Sequence, residues 1–131
     1  MTDFENSDIR YFAGNAKYTL NFAAPDGFVE GKETIWLNIG SFESVADISL
    51  NGKPLGKIWK PGTELNITGL IKADNELTVT VANVYRNRFI GDFVQYGKVQ
   101  NLWTSCPIDR LLDKDKPLKP SGLMGPIRLI K

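Results

Sequence analysis

The sequence predicts an all-β protein, an antiparallel sandwich or jelly roll, on three observations. Apolar and polar residues alternate in several short runs, which is the pattern of strands with one buried face. Turn-forming pairs such as Asn51-Gly52 and Pro61-Gly62 separate these runs. No stretch carries a helical stripe of apolar residues, and the connections are too short for the crossover helices of a parallel sheet. Short strands at regular spacing are typical of sandwiches and jelly rolls.

The predicted elements follow one another along the chain. The strands are expected at 16–22, 35–39, 46–50, 54–59, 65–67, 77–81 and 127–130. Asn51-Gly52 favours a tight type I′ turn, because both positions tolerate positive φ, so strand 46–50 is expected to pair with strand 54–59. The best helical signal is at 108–112, and it suffices for a single turn.

Length and composition limit the possible functions. The 131 residues predict one β-sandwich domain, 1–131, with an ordered core from about residue 10. The chain has no His and one Cys, which excludes His-based catalytic triads and an internal disulfide. A net charge of +1 gives no electrostatic reason to expect nucleic acid or an anionic membrane as partner. The chain opens on no signal peptide and contains no apolar run long enough to span a membrane.

The segment 83–92 is the best candidate for a polar ligand site. It places two Arg, two Asn and one Asp around two aromatic residues, directly after predicted strand 77–81. The Arg fork and the Asp and Asn side chains suit sugar hydroxyls, and an aromatic ring offers an apolar face to the C–H groups of a sugar. The predicted carbohydrate contacts are Trp59, Tyr85, Arg86, Arg88 and Asp92. The alternative is an internal network in which Arg88 and Asp92 pair and satisfy loop carbonyls.

No catalytic residue is predicted. Glycoside hydrolysis needs two carboxylates several ångströms apart, and the spacing of Asp47, Glu64, Asp92 and Asp109 singles out no pair. Cys106 has no His or second Cys to activate it. No metal site or cofactor is predicted either, although a structural calcium held by loop carbonyls and one or two Asp would leave little trace in a sequence.

Motifs in chain order resemble those of known carbohydrate-active enzymes. Segment 45–56 resembles the V-x-x-N-G-x-x-x-G hairpin of the galactose-binding-like, sugar-binding domains of family 2 glycoside hydrolases. Segment 66–71 is similar to their D-[IV]-T-x-x-[IL] motif, with Asn66 in place of the usual Asp. Segment 75–81 is similar to N-x-L-x-V-x-V.

Three further segments narrow the resemblance. Residues 11–18 resemble Y-F-S-G-x-A-x-Y, residues 83–92 resemble N-x-W-x-N-R-L-I-G-D, and residues 121–129 resemble S-G-L-L-G-P-V-R-L. Together they are similar to the C-terminal jelly-roll region of family 106 glycoside hydrolases, the α-L-rhamnosidase type. The resemblance runs from about Tyr11 to Ile130.

This resemblance implies a galactose-binding-domain-like fold and a non-catalytic role, because the catalytic carboxylates of such enzymes belong to a separate barrel domain. It implies a module of a longer bacterial glycoside hydrolase, exported to the periplasm or cell surface. Its partner would be a rhamnose-containing or pectic glycan, the catalytic domain of the same enzyme, or both. Met1-Thr2-Asp3 fits the start of an excised piece or of a short stand-alone gene product. The alternative is a purely structural interdomain module that binds no sugar and buries Trp36 and Trp103 at an interface.

Overall fold

The computed structural model describes residues 1–103, 105 and 117–131. Alternation of apolar and polar residues forms the longer strands, and the Asn51-Gly52 pair separates β4 from β5. The elements in chain order are α1 (Ser7–Arg10), β1 (Gly14–Ala23), β2 (Trp36–Asn38), β3 (Ser41–Phe42), β4 (Val45–Leu50), β5 (Lys53–Ile58), β6 (Glu64–Asn66), β7 (Asp74–Asn83), α2 (Arg86–Tyr96), β8 (Leu123–Gly125) and β9 (Arg128–Ile130).

The strands form antiparallel sheets, so the predicted all-β sandwich is confirmed. A four-stranded sheet has the order β1-β7-β4-β5, and a three-stranded sheet has the order β6-β2-β9. A small third sheet pairs β3 with β8. In the large sheet β7 is central, with Val81 opposite Ala16 of β1 and Ala46 of β4.

The core lies between the four-stranded and three-stranded sheets. Leu77, Val79 and Val81 of β7 are buried and alternate with half-buried Thr78 and Thr80, as a period of two requires. The three-stranded sheet contributes the buried residues of β2 and of the segments next to it in the chain. The buried core residues are Ile35, Leu37, Ile39, Phe42, Ala46, Ile48, Leu50, Ile58, Ile67, Ile71, Leu77, Val79 and Val81.

The predicted hairpin at Asn51-Gly52 is confirmed. Leu50 pairs with Lys53 across a two-residue turn, and Asn51 and Gly52 have φ values of 53° and 76°, as a type I′ turn demands. The Asn51 side chain also stabilises the neighbouring loop. Its Nδ2 donates to the Leu70 carbonyl at 2.9 Å, and its Oδ1 accepts from the Glu76 N–H at 3.0 Å.

Helix α2 is the main departure from the sequence prediction, which placed no helix at 86–96. Its buried face carries Asn87, Ile90, Gly91 and Asp92, so only one of the four buried residues is a large apolar one. Because most of this buried face is polar or lacks a side chain, the helix does not show the stripe of large apolar residues by which a buried helix is predicted. Gly97 ends the helix with φ +71°, the left-handed conformation that glycine adopts without strain. The helical turn predicted at 108–112 lies outside the described residues.

None of the described helices is both long and apolar enough to cross a membrane.

Candidate functional site

Several elements meet at one end of the four-stranded sheet. Gly14 at the start of β1 pairs with Asn83 at the end of β7, so the residues before β1 and those after β7 are brought together. Helix α1 precedes β1, and helix α2 follows β7 after two residues. This end therefore contains most of the segment 83–92 that the sequence singles out.

Helix α2 packs against the residues before β1 at a glycine. A Cβ on Gly91 would lie 2.7 Å from the Tyr11 Cβ and closer still to its Cγ. Only a residue without a side chain permits this approach, so Gly91 fixes the Tyr11 ring against the helix. An aromatic ring held in this way can serve as one wall of a binding site.

Arg88 and Asp92 form an ion pair one turn apart on α2. The Arg88 Nε donates to Asp92 Oδ1 at 2.7 Å, while the second oxygen, Oδ2, accepts from the Gln100 N–H at 3.1 Å. The Asp92 side chain is only 4% exposed, whereas that of Arg88 is 43% exposed. Both Asp92 oxygens thus have partners, which a buried carboxylate requires.

The two asparagines of this region hold the segment that leads into β8. Asn87 Nδ2 donates to the Lys119 carbonyl at 2.7 Å, and Asn87 Oδ1 accepts from the Lys119 N–H at 2.9 Å. Asn83 Oδ1 accepts from the Gly122 N–H at 2.9 Å. Neither Asn was predicted as a site residue. Asn83 could have been noticed, because it continues the buried alternation of β7 with a polar side chain.

A cavity of about 270 Å³ lies between α1, the residues before β1 and α2. We call it the α2 cavity. Three of its lining side chains are aromatic, and its polar groups include both members of the Arg88–Asp92 ion pair. Its lining residues include Asp8, Tyr11, Phe12, Arg88, Asp92 and Tyr96.

The α2 cavity combines apolar ring faces with a guanidinium, carboxylates and, from Ser7 and Gln95, a hydroxyl and an amide. Such a mixture can pack against the C–H face of a sugar while its hydroxyls are hydrogen-bonded. The volume lies just below the roughly 300–1,000 Å³ of sites for drug-sized ligands, so a single sugar ring matches it better than a chain.

The five predicted contact residues do not all lie at this cavity. Arg88 and Asp92 line it. Arg86 points elsewhere, because its Nη1 donates to the Pro117 carbonyl at 3.0 Å. Tyr85 is 51% exposed and stacks on Phe89, with 6.1 Å between ring centroids.

Trp59 lies at the same end of the large sheet but apart from α2. It follows Ile58 of β5, and β4 separates that edge strand from β7. Two strand spacings put roughly 10 Å between the two strands. The Trp59 side chain is 77% exposed. The predicted set is therefore divided between the α2 cavity, the surface of α2 and the edge of the sheet.

A second, more open cavity of about 520 Å³ lies at the opposite end of the sheet, beside Asn51 and Asn75. Asn75 is buried, and both of its side-chain atoms already have partners within the protein. Its Oδ1 accepts from Asn51 Nδ2 at 3.0 Å and from the Lys72 N–H at 2.9 Å, and its Nδ2 donates to the Lys72 carbonyl. These side chains stabilise the turn, which leaves few groups for a ligand.

Within the described ranges, no cluster of three or more Asp, Glu or Cys side chains could hold a metal ion. Of the carboxylates considered for catalysis, Asp47 is exposed on β4 and lies 3.6 Å from the Lys57 Nζ. Asp109 and Cys106 lie outside the described residues.

This β-sandwich is similar to part of known glycoside hydrolases. The chain is 36% identical to the solved rhamnosidase from Novosphingobium sp. PP1Y and superposes with a TM-score of 0.79. That match covers 97% of this chain but 12% of the rhamnosidase. A curated protein of Formosa agariphila that carries the name β-glucuronidase is 33% identical, over 95% of this chain and 13% of its own length.

More distant structures share the fold alone. The β-glucuronidase of Lactobacillus rhamnosus matches 62% of this chain at 22% identity, with a TM-score of 0.54, and 14% of its own chain is covered. No protein-family profile matches the sequence. The homologues are glycoside hydrolases, and the chain spans about an eighth of the length of the Novosphingobium and Formosa proteins.

Proposed function

We propose that this chain is a non-catalytic, carbohydrate-binding module of a bacterial glycoside hydrolase of the α-L-rhamnosidase type, family 106. One observation carries the proposal. Almost the whole chain matches a small part of a rhamnosidase, at 36% identity and a TM-score of 0.79. A glycosidase of such length has ample chain elsewhere for its catalytic carboxylates. Export of the parent enzyme and a rhamnose-containing or pectic glycan as ligand belong to the same proposal.

We place the sugar in the α2 cavity. Arg88 and Asp92 are the two predicted contact residues on its walls, and Tyr11, Phe12 and Tyr96 add the aromatic surfaces that sugar recognition uses. Asp92 contributes mainly by orienting Arg88, because both of its oxygens are already hydrogen-bonded. The exposed part of Arg88 is left to meet sugar hydroxyls.

The competing proposal is a purely structural module that docks against the rest of the enzyme. Exposed apolar side chains at the α2 end of the sandwich favour it, since such surfaces commonly mark protein contacts. Tyr85, Val94 and Tyr96 are 51%, 50% and 61% exposed, and Trp103 is 89% exposed. Trp36, expected at an interface in this alternative, is half-buried on β2.

Calorimetric titration with rhamnose- and galacturonate-containing oligosaccharides tests the two proposals. Two exposed aromatic residues supply a matched pair of variants: Tyr96→Ala, which removes a wall of the α2 cavity, and Trp59→Ala, which lies outside it. We expect millimolar binding that Tyr96→Ala abolishes and Trp59→Ala retains. Loss of binding in Trp59→Ala alone would move the site to the edge of the sheet. If no oligosaccharide binds, the carbohydrate-binding proposal fails and the structural module is the proposal that stands.

Catalysis is tested separately with chromogenic rhamnosides and glucuronides. We expect no hydrolysis by the isolated chain above the buffer rate. Turnover that disappears when Asp8 or Asp92 is replaced by Asn would contradict the non-catalytic role.

A further inference from the structure

The charges on the walls of the α2 cavity indicate which class of sugar it would bind, an inference that rests on the proposed carbohydrate function. The relatives act, by their names, on two kinds of substrate: a neutral deoxysugar glycoside and a glucuronide. These ligands differ in charge. The balance of charges on the cavity walls can therefore distinguish them.

The Arg88 guanidinium is partly neutralised before any ligand arrives. Its Nε lies 2.7 Å from an Asp92 oxygen, and that carboxylate is 4% exposed, so the two charges largely cancel at short range. No described residue accepts a hydrogen bond from the two terminal nitrogens of Arg88. These nitrogens carry four of the five guanidinium N–H donors. They remain available to adjacent hydroxyl oxygens.

The remaining charge on the described walls is negative. Asp8 lines the cavity from α1, and Arg88 is the one cation among the described lining residues. With the Arg88–Asp92 pair counted as neutral, Asp8 leaves the site with a charge of about −1. A sugar carboxylate placed there would be repelled by Asp8 and would gain little from Arg88.

Three aromatic side chains form the larger apolar part of the wall. Tyr11 and Phe12 approach from the residues before β1, and Tyr96 approaches from the last turn of α2. The contact of Gly91 with the Tyr11 ring keeps that ring in position. Rings so placed suit the C–H face or a methyl group of a sugar.

We infer that the α2 cavity takes a single neutral sugar ring, with two adjacent hydroxyls on the Arg88 donors and an apolar edge on the aromatic wall, and discriminates against sugars that carry a carboxylate. The volume of about 270 Å³ matches one sugar ring better than a chain. Two unit charges about 4 Å apart in water repel enough to weaken binding about fivefold. Partial exclusion of water makes the effect larger.

Matched pairs of methyl glycosides test this inference. Glucose and glucuronate, and likewise galactose and galacturonate, differ only in a CH2OH or a carboxylate at carbon 6; L-rhamnose supplies a neutral ring with a methyl group there. We expect each neutral member, measured by calorimetry or by NMR titration at pH 7, to bind at least about fivefold more tightly than its acidic partner.

The variant Asp8→Asn isolates the charge without touching the core, because Asp8 is exposed. It should reduce the ratio of neutral-sugar to acidic-sugar affinity about fivefold. Arg128→Gln, an exposed change on β9, is the control and should leave the ratio unaltered.

Two outcomes overturn the inference and differ in what they leave standing. The inference fails, while the proposed carbohydrate module stands, if the uronates bind as tightly as their neutral partners. It fails likewise if Asp8→Asn leaves the ratio of neutral-sugar to acidic-sugar affinity unchanged. If no sugar of either class binds, the proposed carbohydrate function fails as well.

Discussion

Replacement of Gly91 by Ala tests whether the site is assembled as described. In an isolated helix this change is favourable, because Ala exceeds Gly in helix propensity by about 1 kcal/mol. In this protein the new Cβ would lie 2.7 Å from the Tyr11 Cβ, about 0.7 Å inside the 3.4 Å at which ordinary contact begins. The clash involves the stem of the Tyr11 side chain, so rotation of the ring cannot relieve it.

The two effects oppose each other, and the clash should dominate. Overpacking of a close contact costs roughly 1–3 kcal/mol and sometimes more, because backbone has to move. After subtraction of the helix gain, we expect Gly91→Ala to lower the free energy of unfolding by up to about 2 kcal/mol. For a domain of this size that corresponds to a decrease in Tm of up to about 7 °C.

Thermal unfolding followed by circular dichroism measures this change, with sugar titration on the same sample. The control is Val94→Ala in the same helix, where the side chain is 50% exposed and the stability should change by less than about 0.5 kcal/mol. Displacement of Tyr11 should also weaken sugar binding in Gly91→Ala. A rise in Tm of a few degrees, as helix propensity alone requires, would refute the packing of α2 on Tyr11.

Three further substitutions test the packing of the core, the hydrogen bonds of α2 and the exposure of Trp59. Leu37→Ala removes a fully buried side chain and should cost about 2–5 kcal/mol in urea unfolding; a loss below 1 kcal/mol would contradict a core between the two sheets. Asn87→Ala removes both hydrogen bonds to Lys119 and should cost about 1–3 kcal/mol, with faster proteolysis after α2; unchanged stability would mean that water replaces them. Trp59→Ala alters a residue that is 77% exposed and should shift stability by less than about 0.5 kcal/mol, and a larger loss in Tm would place Trp59 in the core.

The strands could be predicted because their cause is local. Val79 and Val81 alternate with threonines along β7, and only a strand with one buried face requires that pattern. The hairpin at Asn51-Gly52 was predictable for the same reason, since its two positive φ values depend on two adjacent residues.

The site was predictable only in part, because its causes are not local. Helix α2 is stabilised by the contact of Gly91 with Tyr11 and by the hydrogen bonds of Asn87 to Lys119, residues distant in sequence. The residue types of Arg88 and Asp92 predict a polar site, and the structure shows the pairing that was the alternative prediction for them. Tyr96 could not be predicted as a site residue. The residues next to it in the sequence do not indicate that the pairing of β1 with β7 brings it and Tyr11 to the same cavity.

The most direct test of the central proposal is chemical-shift mapping of the isotopically labelled chain during titration with methyl L-rhamnoside. We predict saturable shifts for the amides of Tyr11 and Phe12 and for the residues of α2 near Arg88, with none around Asn51 and Glu76 at the opposite end of the sheet. Saturable shifts confined to the opposite end or to Trp59, or none at all, would contradict a carbohydrate site in the α2 cavity.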